Sequence, residues 1–132
     1  MRNHEIAMLA YARLARLSHA KQQAPGRDRF LVLAGYEACQ AGWLEVAARC
    51  RELVLGTNSR HLLGKAETFS ETIRDPSSRS FFKRLESFCS FEQAEHLLRE
   101  NSQWPELQPA ETVGVQVLKE LDDLDGARKQ AL

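Results

Sequence analysis

Apolar residues recur at helical spacing along almost the whole chain, and no stretch alternates long enough to predict a strand. A first helix is predicted over about His4–Ala20, with Ala7, Ala10, Leu14 and Leu17 as its stripe, Ile6 and Leu9 widening it, and Arg13 and Arg16 facing away. Pro25 and Gly26 mark residues 22–28 as a loop. A second helix follows over 29–41, where the apolar run of Leu31, Val32, Leu33 and Ala34 predicts burial on more than one side. Gly42 stands where a left-handed cap would end it. A third helix covers 43–55 on Trp43, Val46, Ala47, Cys50, Leu53 and Val54, with Gly56 as its expected cap. Asn58 is expected to cap a fourth helix bearing Leu62, Ala66, Phe69 and Ile73.

Asp75-Pro76 is the clearest boundary, an N-cap carboxylate before a proline whose missing N–H costs nothing at a first helical position. Phe81, Phe82, Leu85 and Phe88 line the fifth helix. Ser90 and Gln93 fit a capping box that opens a sixth, with Phe91, Ala94, Leu97 and Leu98 inward. Residues 101–110, polar and carrying Pro105 and Pro109, read as a linker. A last amphipathic helix, 111–124, ends on Asp122, Asp123 and Asp125, where the helix dipole disfavours acids and fraying is expected. The organisation is therefore a helical domain over 1–101, a linker over 102–110, and a C-terminal amphipathic helix within 111–132 that packs on the domain or on a partner chain. The fold class is all-α, six or seven short helices packed as antiparallel hairpins, either a superhelix or an irregular bundle.

Within this pattern, Leu31, Gly35, Gly42 and Ala47 stand at tetratricopeptide spacings. They match the family's first large residue, its helix-A glycine, its inter-helix glycine and its helix-B alanine. The stretch 31–59 thus resembles one tetratricopeptide-type hairpin, a repeat of about 34 residues. Arg51, Val54 and Ser59 depart from the pattern, and Lys65 and Phe69 break a second copy. The resemblance implies a concave helical face that binds a peptide or protein, and it carries over no catalytic residue.

The chain has 132 residues, 43% hydrophobic and 27% charged, which predicts one folded domain large enough to hold a core. Three cysteines, Cys39, Cys50 and Cys89, match no CxxC pattern and read as reduced, buried thiols of a cytoplasmic protein. Glu5, Arg13 and Arg16 interrupt any apolar leader or membrane span, so no membrane association is expected. Net charge is zero but uneven. Residues 1–65 hold ten Lys/Arg against five Asp/Glu, and 66–132 hold eight against thirteen. Such halves either mix in the folded domain or associate head to tail.

No GxSxG, GxxxxGK[ST] or GxGxxG is present, so nothing in the sequence calls for a cofactor or a catalytic residue. Glu92 and His96, four apart, could share a metal with His61 or Cys89, although Glu–His at this spacing is also a common surface pair. Cys89 at a helix start could be activated by the dipole, or be an inert thiol between Phe88 and Phe91. Arg79, Lys83 and Arg84 give the fifth helix a basic side. Phosphate binding there is opposed by Glu86, Asp75 and the lack of basic excess. Trp104 either anchors the linker or serves an interface. Val117, Leu118, Leu121 and Leu124 must bury against this chain or a second copy. The function expected from these residues is a non-catalytic protein-interaction module, an adaptor or scaffold binding a protein or itself. Its candidate surface comprises Trp104, Val117, Leu118, Leu121, Leu124, Arg79 and Lys83. The alternatives are a small helical enzyme or metal-binding protein using Glu92, His96 and Cys89, and a weak nucleic-acid-binding regulator.

Overall fold

The computed structural model describes residues 3–108 and 110–124. They form α1 (His4–Ala20), α2 (Ala24–Ala41), α3 (Leu44–Thr57), α4 (Phe69–Arg74), α5 (Arg79–Phe88), α6 (Phe91–Glu100) and α7 (Val113–Asp122). Two short 3-10 turns, Leu62–Lys65 and Pro76–Ser78, precede α4 and α5. No strand occurs among the described residues, and none of their helices is long and apolar enough to cross a membrane.

The centre of the fold is α1 against α2, the most extensive pairing in the chain. Every residue from Ala7 to Ala12 is buried, so α1 is enclosed on nearly all sides rather than along one stripe. Its alanines, Ala7, Ala10, Ala12 and Ala15, let neighbouring backbones approach closely. α2, α6 and α7 all pack on it. α2 begins at Ala24, earlier than its apolar run suggests. Pro25 and Gly26 lie in its first turn, where proline loses no hydrogen bond, so the loop shrinks to the turn around Gln22. Gly42 does end α2 in the left-handed conformation, at φ 83°.

α3 runs through Gly56 to Thr57, and Asn58 follows as its C-cap instead of opening the next helix. The expected fourth helix is split. Arg51 of α3 donates to the carbonyls of Leu63 (3.2 Å) and Ala66 (2.9 Å), tying that stretch to α3 as a 3-10 turn, and α4 starts only after the Thr68 cap. The Asp75-Pro76 boundary and the Ser90–Gln93 capping box are both present with their hydrogen bonds. In α6, Ala94 and Leu98 are buried but Leu97 is 42% exposed. The helix touches α1 along one narrow side, and Leu97 lies outside that stripe.

Arg13 and Arg16 do not face solvent, because α7 covers that side of α1. Arg13 Nε lies 2.8 Å from Glu120, and Arg16 pairs with Glu120 (2.8 Å) and Asp123 (3.5 Å). The basic first half and acidic second half of the chain therefore meet inside one molecule. Asp125 and Pro109 lie outside the described residues. The segment before α7 is stitched in place. The buried Gln116 amide donates to the Glu106 carbonyl (2.5 Å) and accepts from the Gln108 N–H (3.2 Å). Arg13 donates to the Gln103 carbonyl (3.0 Å).

Two glycines set approach distances. A Cβ at Gly35 would overlap the Phe69 ring, and one at Gly114 would overlap the Trp43 ring. Gly35 thus makes room for the Phe69 ring of α4. Phe69 is itself buried against Phe82, so its ring has nowhere to move. Gly35→Ala is expected to destabilise the fold by about 1–3 kcal/mol, read as a lower urea midpoint at unchanged slope.

His61 caps the first 3-10 turn by accepting the Leu63 N–H through Nδ1 (3.1 Å). Burial holds its imidazole below the ordinary value of 6.5, with Asp28 opposing in part. Protonation would remove the acceptor. The native state thus binds this proton less readily than the unfolded chain, and stability is lost as pH falls below 6.5 through the lowered value. Thermal unfolding across that range should show a falling midpoint, and His61→Asn, which keeps the cap without titrating, should flatten the dependence.

Candidate functional site

The geometry of α5 follows from its entry. The Asp75 side chain accepts from the Ser77 N–H (3.0 Å) and hydroxyl (2.9 Å), and these bonds hold its carboxyl below the ordinary carboxylate value. Ser78 donates to the carbonyls of Thr72 (2.6 Å) and Asp75 (2.8 Å), closing the corner between α4 and α5. α5 is then leaned over α2 by aromatic contacts. Phe82 meets Tyr36 at 5.5 Å and Phe69 at 6.4 Å between ring centroids, while Phe81 meets His61 at 5.5 Å.

Between α5 and the α1–α2 pair lies a cleft of about 580 Å³. Leu33, Tyr36, Ile73 and Phe82 make its walls apolar. Glu37 lies at the cleft with only 1% of its side chain exposed, and His4 Nδ1 sits 3.1 Å from its carboxylate. Tyr11 also lines the cleft and donates its hydroxyl to the Cys89 carbonyl at 2.9 Å. Arg79, Ser80, Lys83 and Glu86 form the α5 rim and are exposed. Neither Arg79 nor Lys83 forms an ion pair with a described residue. An apolar cavity of this size with a few charged groups at its edge is suited to holding a ligand group rather than to packing the fold.

Shallower grooves continue the cleft along α5. The next shares Lys83 and Glu86 with it and adds Arg84 and Phe88; a further one shares Glu86, Phe88 and Ser90 and reaches Glu92, His96 and Leu97. Phe88 and Leu97 are exposed there, although Arg29 stacks over the Phe88 ring at 4.9 Å.

Of the residues expected from sequence to carry function, the structure brings Arg79 and Lys83 to one rim. It places the others elsewhere. Val117, Leu121 and Leu124 are 0%, 0% and 2% exposed inside this chain's own core, with Leu118 half-buried beside them, so they offer little surface. Trp104 is half-buried, 6.4 Å from Phe91 and under the Arg99 guanidinium at 4.4 Å, anchoring its segment on α6. Cys89, Glu92 and His96 border one shallow groove but do not converge. His96 pairs with Glu100 at 3.2 Å on open surface, and burial pushes the Cys89 thiol up instead of activating it. No group of three His, Cys, Asp or Glu side chains suited to a metal occurs among the described residues, His61 included.

Sequence reading missed Glu37 and the cleft it borders. The signal was present: Glu37 falls between Ala34, Ala38 and Ala41 on the apolar side of α2, where a charge is costly unless paired. Compared with protein-family models, curated proteins and solved structures, the chain matches none.

The thiols give a direct check on this arrangement. Burial pushes Cys50 up to about 12 and also raises Cys39 and Cys89. Cys39 is the least enclosed of the three. Native protein treated with a thiol-reactive dye should label first at Cys39, with Cys50 and Cys89 reacting only as the chain unfolds. Rapid native labelling of Cys89 would contradict the buried, inert thiol described here.

Proposed function

We propose that this chain is a non-catalytic protein-interaction module, an adaptor or scaffold, that receives a protein segment along α5. The observation that carries the reading is the continuity of the cleft with the grooves beyond it. One helix presents an apolar cavity, two uncommitted cations and the exposed Phe88 in sequence, with Leu97 of α6 at the far end. A track of this length is matched better by an extended or helical peptide than by a compact molecule. The tetratricopeptide-like relationship of residues 31–59 belongs to the same proposal. What supports it is that α2 and α3 are consecutive helices joined by a tight turn at Gly42 and packed on each other. A cytoplasmic setting accords with the free thiols Cys39, Cys50 and Cys89.

A photo-crosslinking side chain at Ser87, exposed between the cleft and Phe88, tests this in the native host. One discrete adduct is expected, lost when Lys83→Glu and Leu97→Asp are combined. An adduct with a second copy of the chain would redirect the reading to self-association. Partner adducts arising only from residues far from α5 would remove α5 as the surface.

A further inference from the structure

The reading of α5 as a docking track leaves open what its deepest part receives, and the charges along the rim bear on that. α5 carries Arg79 and Ser80 in its first turn, Lys83 one turn later and Glu86 near the far end of the cleft. Arg79 and Lys83 are about 6 Å apart along the helix axis, both exposed, with no described carboxylate paired to either. The N-terminal end of the α5 dipole adds positive potential on the same side. The other carboxylate at the cleft, Glu37, is set back from the rim, 1% exposed and hydrogen-bonded to His4 at 3.1 Å, whereas Arg79 and Lys83 stand at the open edge. The walls between these charges, Leu33, Tyr36, Ile73 and Phe82, present no charged group.

We infer that the cleft binds an acidic protein segment, seating one apolar side chain between α2 and α5 with carboxylates about one helical turn apart over Arg79 and Lys83. The inference rests on the proposed role of α5 and adds the chemistry of its partner. Apolar contact supplies the seat, and the cation pair selects the sign of the flanking residues. Glu86 repels acid at the far end and Asp75 does so before the first turn of α5, so the partner's negative charge is confined to the stretch over Arg79 and Lys83.

The test uses the full chain and an uncharged, environment-sensitive naphthalene dye as reporter of the cleft. Two capped amphipathic peptides serve as competitors, alike in Leu and Phe pattern, one with Glu and the other with Lys at the polar positions. The acidic peptide is expected to displace the dye at a concentration at least tenfold lower than its basic twin, with the difference shrinking in high salt. Combining Arg79→Glu with Lys83→Glu, both at exposed positions, should reverse the preference without moving the thermal midpoint. Ser80→Trp, which fills the mouth of the cleft from an exposed position, should abolish dye binding. Equal competition by both peptides, or a preference unchanged in the charge-reversed variant, would overturn the inference. So would displacement by neither. The crosslink from Ser87 is a separate readout. A partner captured there that carries no acidic segment would leave α5 as the surface while removing this account of its ligand.

Discussion

Enclosure of α1 is the condition on which the remaining architecture depends. A helix whose residues from Ala7 to Ala12 are all buried cannot be covered by one neighbour. Each fully buried Leu or Met side chain contributes about 1.5–3 kcal/mol relative to exposure, so leaving any side of α1 open would forfeit several such terms. α2 covers one flank, α6 another and α7 a third, and the positions of these helices then dictate where the connecting segments run. The polar residues of α1 comply with the same demand. Arg13 and Arg16 at its edge are covered by α7 together with carboxylate partners, Glu120 within that helix and Asp123 at its C-terminal cap.

That ring of helices also explains the cleft. α4 is short, and its Phe69 is drawn into the space over Gly35, which tilts the α4–α5 corner toward α2. Phe82 then rests on Tyr36 and Phe69 instead of entering the core, and a space remains beneath the first turns of α5. The cavity is the residue of a packing problem solved with large rings on a short helix. Its rim cations, Arg79 and Lys83, border the cleft from α5 and form no ion pair with a described residue.

Much of the fold is legible in the sequence because its signals are local. The Gly42 cap, the Asp75-Pro76 entry and the Ser90–Gln93 box each act within one turn of chain, and each is found where the residues predict it. Some local signals are ambiguous, since Pro25 and Gly26 open α2 instead of a loop and Asn58 closes α3 instead of opening the next helix. Other failures involve distant partners. The split of the fourth helix depends on Arg51 reaching the carbonyls of Leu63 and Ala66, and the burial of Arg13 depends on a helix some hundred residues away, at Glu120. The candidate site divides along the same line. Arg79 and Lys83 were readable as one basic helix edge. The cavity beside them was not, since its opposite wall comes from Leu33, Tyr36 and Glu37 on α2, and helical periodicity cannot say which two faces will be left apart.

The pairing of α1 with α7 has a consequence for the order in which the molecule can be completed. α1 precedes α7 by about a hundred residues, so on a growing chain it is without its acidic counterpart until Glu120 has been added. Through that interval the flank of α1 that α7 covers stays open beside two guanidinium groups that lack their carboxylate partners. Docking of α7 covers the flank and supplies both partners in one step. A chain interrupted before this helix would therefore leave that flank of α1 uncovered and both guanidinium groups without these partners.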